Sequence, residues 1–235
     1  MTRGLVLCYH AVSDAWRDPL AVRESAFAYQ LGSLSARGFT GSDLTDAVRG
    51  RAGAVHCTFD DAYVSVATAV ELLDRFRVPA TVFVITGCAG GGEPPADHAG
   101  DLRAATLSWD ELRELAARGV GIGSHTVTHR HLTTLGGGEL ARELTDSREQ
   151  IEDELRQRCR ALAYPYGDTD ERVCRAAAQA GYEVGLAAGA GRSGPFDAPR
   201  ISVFRHDGRA RFRLKTSSSG PLLFRLAAAT RLRRR

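Results

Sequence analysis

Two histidines four residues apart, His125 and His129, sit in the stretch Ser124-His125-Thr126-Val127-Thr128-His129. A single helical turn here would put residues i and i+4 on one face. Both imidazoles could then close on one metal ion, at about 2.0–2.1 Å per nitrogen for zinc. Taken alone, the spacing also fits two unrelated surface or core histidines. Asp60 and Asp61, which end the run Thr58-Phe59-Asp60-Asp61, sharpen the reading. Adjacent acids at a strand end ordinarily make a solvated turn or a helix N-cap. Joined to two histidines, however, one carboxylate completes a three-ligand set whose fourth position is open to water. The second carboxylate could then take a proton from that water. A third stretch, Ala163-Tyr164-Pro165-Tyr166-Gly167, carries a proline that fixes the turn before Tyr166.

The elements that must hold these residues are readable around them. Gly119-Val120-Gly121-Ile122-Gly123 reads as a short strand before the histidines, and 54–59 has strand composition before the acids. The third stretch also ends a strand-like run at 161–164. In α/β architectures ligands gather just past the C-terminal ends of strands. The apolar run 5–9 predicts a first buried strand, and His10 follows it directly, onto the same rim. Helical spacing of Val66, Ala69, Val70 and Leu73 predicts a helix over 62–75 after the acids. Ser108 with Glu111 predicts a capping box, and Leu140, Leu144, Ile151 and Leu155 form the inner stripe of a charged helix over 139–158. Helix and strand alternate along the chain, which predicts a parallel sheet. Seven or eight such units in one domain favour a closed α/β barrel over an open sheet. The stretch 11–22 reads as a polar loop, and 87–105 as a long loop able to cover the site, with Asp97 and His98 as solvated positions.

Thr58-Phe59-Asp60-Asp61, His125-Thr126-Val127-Thr128-His129 and Tyr164-Pro165-Tyr166-Gly167, in that order, resemble the first three motifs of the polysaccharide deacetylase family, the carbohydrate esterases with a NodB homology domain. The resemblance covers about residues 5–203. It implies a distorted (β/α)7 barrel, TIM-barrel-like, and a metal-dependent hydrolase that removes the N-acetyl group of a sugar. It implies Asp61, His125 and His129 as ligands of a divalent metal, zinc foremost, and Asp60 as the general base. The backbone N–H of Tyr166 would complete the oxyanion site. Members with a longer third motif carry an arginine where Ala163 stands; here it is absent. No Leu-x-His motif supplies the catalytic acid, which leaves His10 and His206 as candidates for it. Arg200 is open between reaching the site and serving as an ordinary ion-pair partner, and His131 between a supporting contact and a cap. Two alternatives stay open: a deformylase or other C–N hydrolase of the same fold, and a sugar-binding protein with a degenerate site. The intact acids and histidines speak against the second.

The 235 residues suit one such domain, and 25% charged with 43% hydrophobic residues is ordinary for a globular protein. Five cysteines without a Cys-x-x-Cys pair form no disulfide framework and favour a reducing compartment. The apolar part of the N-terminus is short for a signal peptide, so the expected location is cytoplasmic. The net charge of +3 is uneven. Residues 205–235 hold ten Lys/Arg against one Asp, a net of +9, which leaves −6 for the rest. Accordingly, 1–215 reads as the barrel domain and 216–235 as a basic, amphipathic tail, open between a helix packed on the barrel with solvated arginines and one that meets an anionic membrane surface at the inner membrane face. A carbohydrate is the expected substrate. No nucleic-acid partner is expected, because no recognition motif accompanies the basic charge.

Overall fold

Runs of consecutive apolar residues become strands buried on both faces, as parallel sheets require. In the computed structural model, which describes residues 3–90, 101, 104–188 and 194–217, these are β1 (Leu5–Tyr9), β5 (Ala54–Phe59) and β6 (Ala80–Val84). They are joined by β7 (Gly121–Ser124), β8 (Ala161–Ala163), β9 (Val184–Ala188) and β10 (Ala198–Ser202). The order is β1-β10-β9-β8-β7-β6-β5, and β5 returns to β1, so these seven strands close a parallel barrel. The closing register pairs Leu7 with both Cys57 and Ile201. The short strand β4 (Thr40–Gly41) lies along β5 below β6. The expected (β/α)7 barrel is the fold observed.

Amphipathic helices wrap this sheet: α1 (Glu24–Ser35), α2 (Leu44–Val48), α3 (Val66–Phe76), α4 (Trp109–Ala117), α5 (Gly137–Leu155), α6 (Glu171–Gln179) and α7 (Arg209–Lys215). The capping box at Ser108 and Glu111 is present, and Asp43 caps α2 by accepting from Asp46 N–H. The helix expected over 62–75 begins only at Val66, because Asp61 and Ala62 both take positive φ, 67° and 54°.

One expectation is corrected. The stretch 11–22 is not simply a polar loop: β2 (Ala11–Val12) and β3 (Ala21–Val22) pair in a miniature parallel sheet. Arg205 holds it, donating from Nη1 to the carbonyls of Ser13, Trp16 and Ala21 at 3.1, 2.9 and 2.8 Å. The first part of the basic segment, 205–216, packs on the barrel. Asp207 is buried and pairs with Lys215 (2.5 Å) and Arg211 (2.7 Å), and Arg37 donates to Thr216 Oγ1 at 2.7 Å. Of the tail as read from the sequence, 216–235, all but Thr216 and Ser217 lies outside the described residues, as do Asp97 and His98. No helix among the described residues is long and apolar enough to cross a membrane.

Candidate active site

The C-terminal rim of the barrel gathers the three sequence motifs. Each is delivered by one extra backbone hydrogen bond past a strand end. Asp60 N–H donates to Tyr9 O at 3.0 Å, prolonging the β1–β5 ladder, and His125 N–H donates to Val84 O at 2.8 Å, prolonging β6–β7. The chain then turns sharply. Asp61, Ala62, Thr126, His129 and Tyr166 all have positive φ, a conformation that costs of order 1–3 kcal/mol for a non-glycine residue and persists only where the surroundings enforce it. Tyr166 sits in the 3-10 turn Pro165–Gly167, whose proline opens the turn. Gly167 has φ +66°, and a Cβ there would lie 2.1 Å from Ala188 Cβ, so only glycine lets this turn sit against β9.

The single helical turn expected between the two histidines is not formed. Residues 125–131 make a bend, with φ of 69° at Thr126 and 58° at His129. The rings meet all the same, with centroids 4.8 Å apart. Asp61 Oδ1 lies 3.5 Å from Nε2 of His125 and 3.5 Å from Nε2 of His129. That oxygen is buried and accepts no hydrogen bond among the described residues. An orphaned buried carboxylate oxygen is costly. The spacing accounts for it: in a tetrahedron with arms of about 2.0–2.2 Å the edges run to about 3.3–3.6 Å, so a divalent ion fits among the three atoms. His125 is also prepared as a ligand. Its Nδ1–H donates to Ala163 O at 2.7 Å, which leaves the Nε2 lone pair toward Asp61.

Beside this set stands a second assembly. Asp60 receives both arms of the Arg200 guanidinium, Nη1 to Oδ1 at 2.6 Å and Nη2 to Oδ2 at 2.7 Å. Arg200 is itself only 2% exposed and also donates from Nη1 to Thr58 Oγ1 at 3.0 Å. Burial pushes the Asp60 carboxyl up, but the charge and hydrogen bonds of Arg200 overcome it and hold the group well below the usual carboxylate range. Cys8 donates its S–H to Asp60 Oδ2 at 3.4 Å, and burial pushes that thiol far up, so it stays protonated. Cys8, His10 and Asp60 form a second donor group by distance. In that group, however, both Asp60 oxygens are already engaged by the Arg200 guanidinium.

The structure thus brings together Asp60, Asp61, His10, His125, His129 and Tyr166 around one cavity of about 350 Å³. His10 Nδ1 is buried there without a hydrogen-bond partner. His206 is not among them. Its side chain is exposed and stacks on Phe204, with centroids 5.6 Å apart, because the chain turns outward after β10. His131 stacks against the Tyr166 ring at 3.9 Å and lies 3.6 Å from Asp168. Arg200, weighed from the sequence as an ion-pair partner or a site residue, is both. It reaches Asp60 from β10. Glu143, which the sequence reading passed over, accepts backbone N–H groups of Val127 and Thr128.

The polysaccharide deacetylase family model matches residues 47–185, more than half of the sequence. The chain belongs to the polysaccharide deacetylase family. Relatives of this deacetylase-family chain include YxkH of Bacillus subtilis (strain 168), 26% identical over 189 residues, with 77% of this chain and 63% of that protein aligned. A chitooligosaccharide deacetylase of Sinorhizobium fredii is 29% identical over 137 residues, covering 55% of this chain and 54% of its own. The chain therefore spans less than two thirds of either relative. Among solved structures, the Streptococcus pyogenes deacetylase PplD in complex with acetate superposes with a TM-score of 0.76 over 92% of this chain and 98% of that one, at 23% identity. This likeness bears on the fold.

Proposed function

We propose that the chain is a metal-dependent hydrolase that removes an N-acetyl group from an N-acetylated sugar. The observation that carries the reading is Asp61 Oδ1, buried, without a donor, and equidistant at 3.5 Å from two imidazole Nε2 atoms. Family membership and the name of the Sinorhizobium fredii relative support the sugar amide as substrate. Asp61, His125 and His129 would hold the metal, and two imidazoles with one carboxylate suit zinc. A divalent cation there supplies Lewis acidity to the attacking water and to the amide carbonyl.

The remaining steps belong to the chain's own groups. Asp60, ionised at neutral pH and fixed by Arg200, accepts the proton of the attacking water. The water oxygen bonds to the carbonyl carbon, and the backbone N–H of Tyr166 stabilises the negative charge on the carbonyl oxygen. The C–N bond then breaks, and the leaving nitrogen takes a proton from His10, whose Nδ1 has no competing partner. Acetate and a free amine result. The substrate we favour is a glycan precursor or a lipid-linked saccharide. The test is acetate release from a panel of N-acetylated sugars, free and lipid-linked, by the purified protein with added zinc and with a chelator. Zinc-dependent acetate release is expected. Release of formate alone from N-formyl analogues, or no release from any sugar, would overturn the reading.

A further inference from the structure

The bend that carries both histidines has two strained residues and no helix of its own, yet it is held to a specific shape. Helix α5 supplies the hold. Glu143 is 7% exposed, with no ion pair among the described residues, and its carboxylate is spent on the bend. Oε2 accepts from Val127 N–H at 2.9 Å and from Thr128 N–H at 3.0 Å, and Oε1 accepts from Thr128 Oγ1–H. One turn later on the same face, Ser147 accepts from Ser124 Oγ–H at 2.8 Å, and Ser124 Oγ in turn accepts from Thr126 N–H at 3.1 Å. Within the bend, Thr126 Oγ1 accepts from His129 N–H at 3.1 Å. Every residue of 126–129 therefore has its N–H fixed by a side chain, and Glu143 fixes two of the three that lie between the histidines.

We infer that Glu143 is a positioning residue for the metal site, setting the separation of His125 and His129 through Val127 and Thr128. A buried carboxylate is an expensive way to brace a loop. It is suited to this bend because it accepts two successive N–H groups and a hydroxyl at once, which no apolar side chain can do. Without it, the positive φ at Thr126 and His129 has less to hold it, and two ligand nitrogens that now stand equidistant from Asp61 would drift apart. Outer partners that orient ligands typically contribute roughly 10–100-fold to metal affinity.

The inference rests on the metal reading above, and its test separates the two. Zinc and cobalt affinities are measured for the full chain, Glu143→Ala, Glu143→Gln and, as an exposed control on the same helix, Glu149→Ala. Unfolding midpoints of the metal-free proteins are recorded in parallel. Glu143→Ala is expected to bind zinc roughly 10–100-fold more weakly and to alter the visible absorption of bound cobalt. Glu143→Gln, whose amide oxygen can take both N–H groups while its NH2 donates to Thr128 Oγ1, should recover most of the affinity. A Glu143→Ala protein that unfolds earlier but binds zinc as the parent does would overturn the inference, since bracing the helix alone predicts that result. If that variant does not fold, Thr128→Val removes one of the three hydrogen bonds, and an unchanged zinc affinity there overturns it equally. Failure of the parent chain to bind zinc would sink the metal reading instead.

Discussion

The two open ends of the barrel differ in kind more than in size. The larger cavity, about 630 Å³, lies at the N-terminal ends of the strands, among Arg3, Leu44, Thr81, Gly121, Ala161 and Pro199. The cavity at the C-terminal ends is about 350 Å³. At or beside the larger one several polar groups have partners. Arg160 faces Glu183 at 3.7 Å, and His56 on β5 has both ring nitrogens engaged, Nδ1 by Ser42 O at 2.8 Å and Nε2 by Thr81 Oγ1 at 2.9 Å. The smaller one collects what a fold tolerates only for a reason. Seven non-glycine residues among those described have positive φ. Arg77 and Arg156 end helices, and the other five stand at this rim. Two of the buried side-chain atoms without a hydrogen-bond partner, Asp61 Oδ1 and His10 Nδ1, are there too. Volume marks where something could sit. Strain and unmet hydrogen bonds mark where something is needed.

The largest expected effect sets the two ends against each other directly. His125→Ala or His129→Ala should abolish both stoichiometric metal and acetate release, because each removes one of three ligands. His56→Asn should leave metal occupancy at the parent level. Elemental analysis of the purified proteins reads both. Unchanged occupancy in either rim variant, or loss of metal on changing His56, would break the comparison.

Within the rim the two adjacent acids should separate. Asp60→Asn is expected to keep the metal and lose turnover by roughly 10²–10⁴-fold, the usual worth of a general base. Asp61→Asn should instead weaken metal binding; identical metal titrations for the two would remove the division of roles. Removing the partner of a buried charge is destabilising as well. Arg200→Met leaves the Asp60 carboxylate buried and unpaired, a change that costs about 3–5 kcal/mol in other buried pairs. Denaturant unfolding checks it. A loss confined to activity, with stability intact, would mean that Asp60 takes up its proton or water once the arginine is gone.

How much of this was legible in the chain follows from the range of each interaction. Apolar runs such as Leu5–Tyr9, the Ser108/Glu111 box and the acids after Phe59 are local, and the structure keeps them. The bend at 125–131 differs from the helical turn that the i, i+4 spacing allows, and two of its N–H groups go to Glu143, 15–16 residues away on another element. A signal was present: Glu143 stands among Leu140, Leu144 and Ile151 on the buried stripe of α5, where an acid must have a partner. The reach of Arg200 to Asp60 spans 140 residues and has no local trace. His206 was a candidate only because it follows the third motif. Its side chain stacks outward on Phe204, which sequence order alone does not disclose.

The smallest effect concerns the settled end. Burial pushes the His56 imidazole down to about 4, outweighing the Ser42 carbonyl and the nearby Asp43, which favour the charged form. In the unfolded chain a histidine titrates near 6.5. Its folded value is therefore the lower one, and between the two values the unfolded state binds more protons. The stability His56 contributes is present in full above pH 6.5 and is lost as pH falls toward 4. The total is about 3 kcal/mol, of which about 2 kcal/mol is gone by pH 5. Urea unfolding of the metal-free protein at pH 7.5 and pH 5, beside His56→Asn, isolates this part, since carboxylates common to both proteins cancel. The variant should be less stable at pH 7.5 and should lose about 2 kcal/mol less than the parent on acidification. Equal slopes would mean that His56 takes up its proton without leaving Ser42 and Thr81. The contrast between a settled histidine at one end and two ligand histidines at the other would then rest on the metal alone.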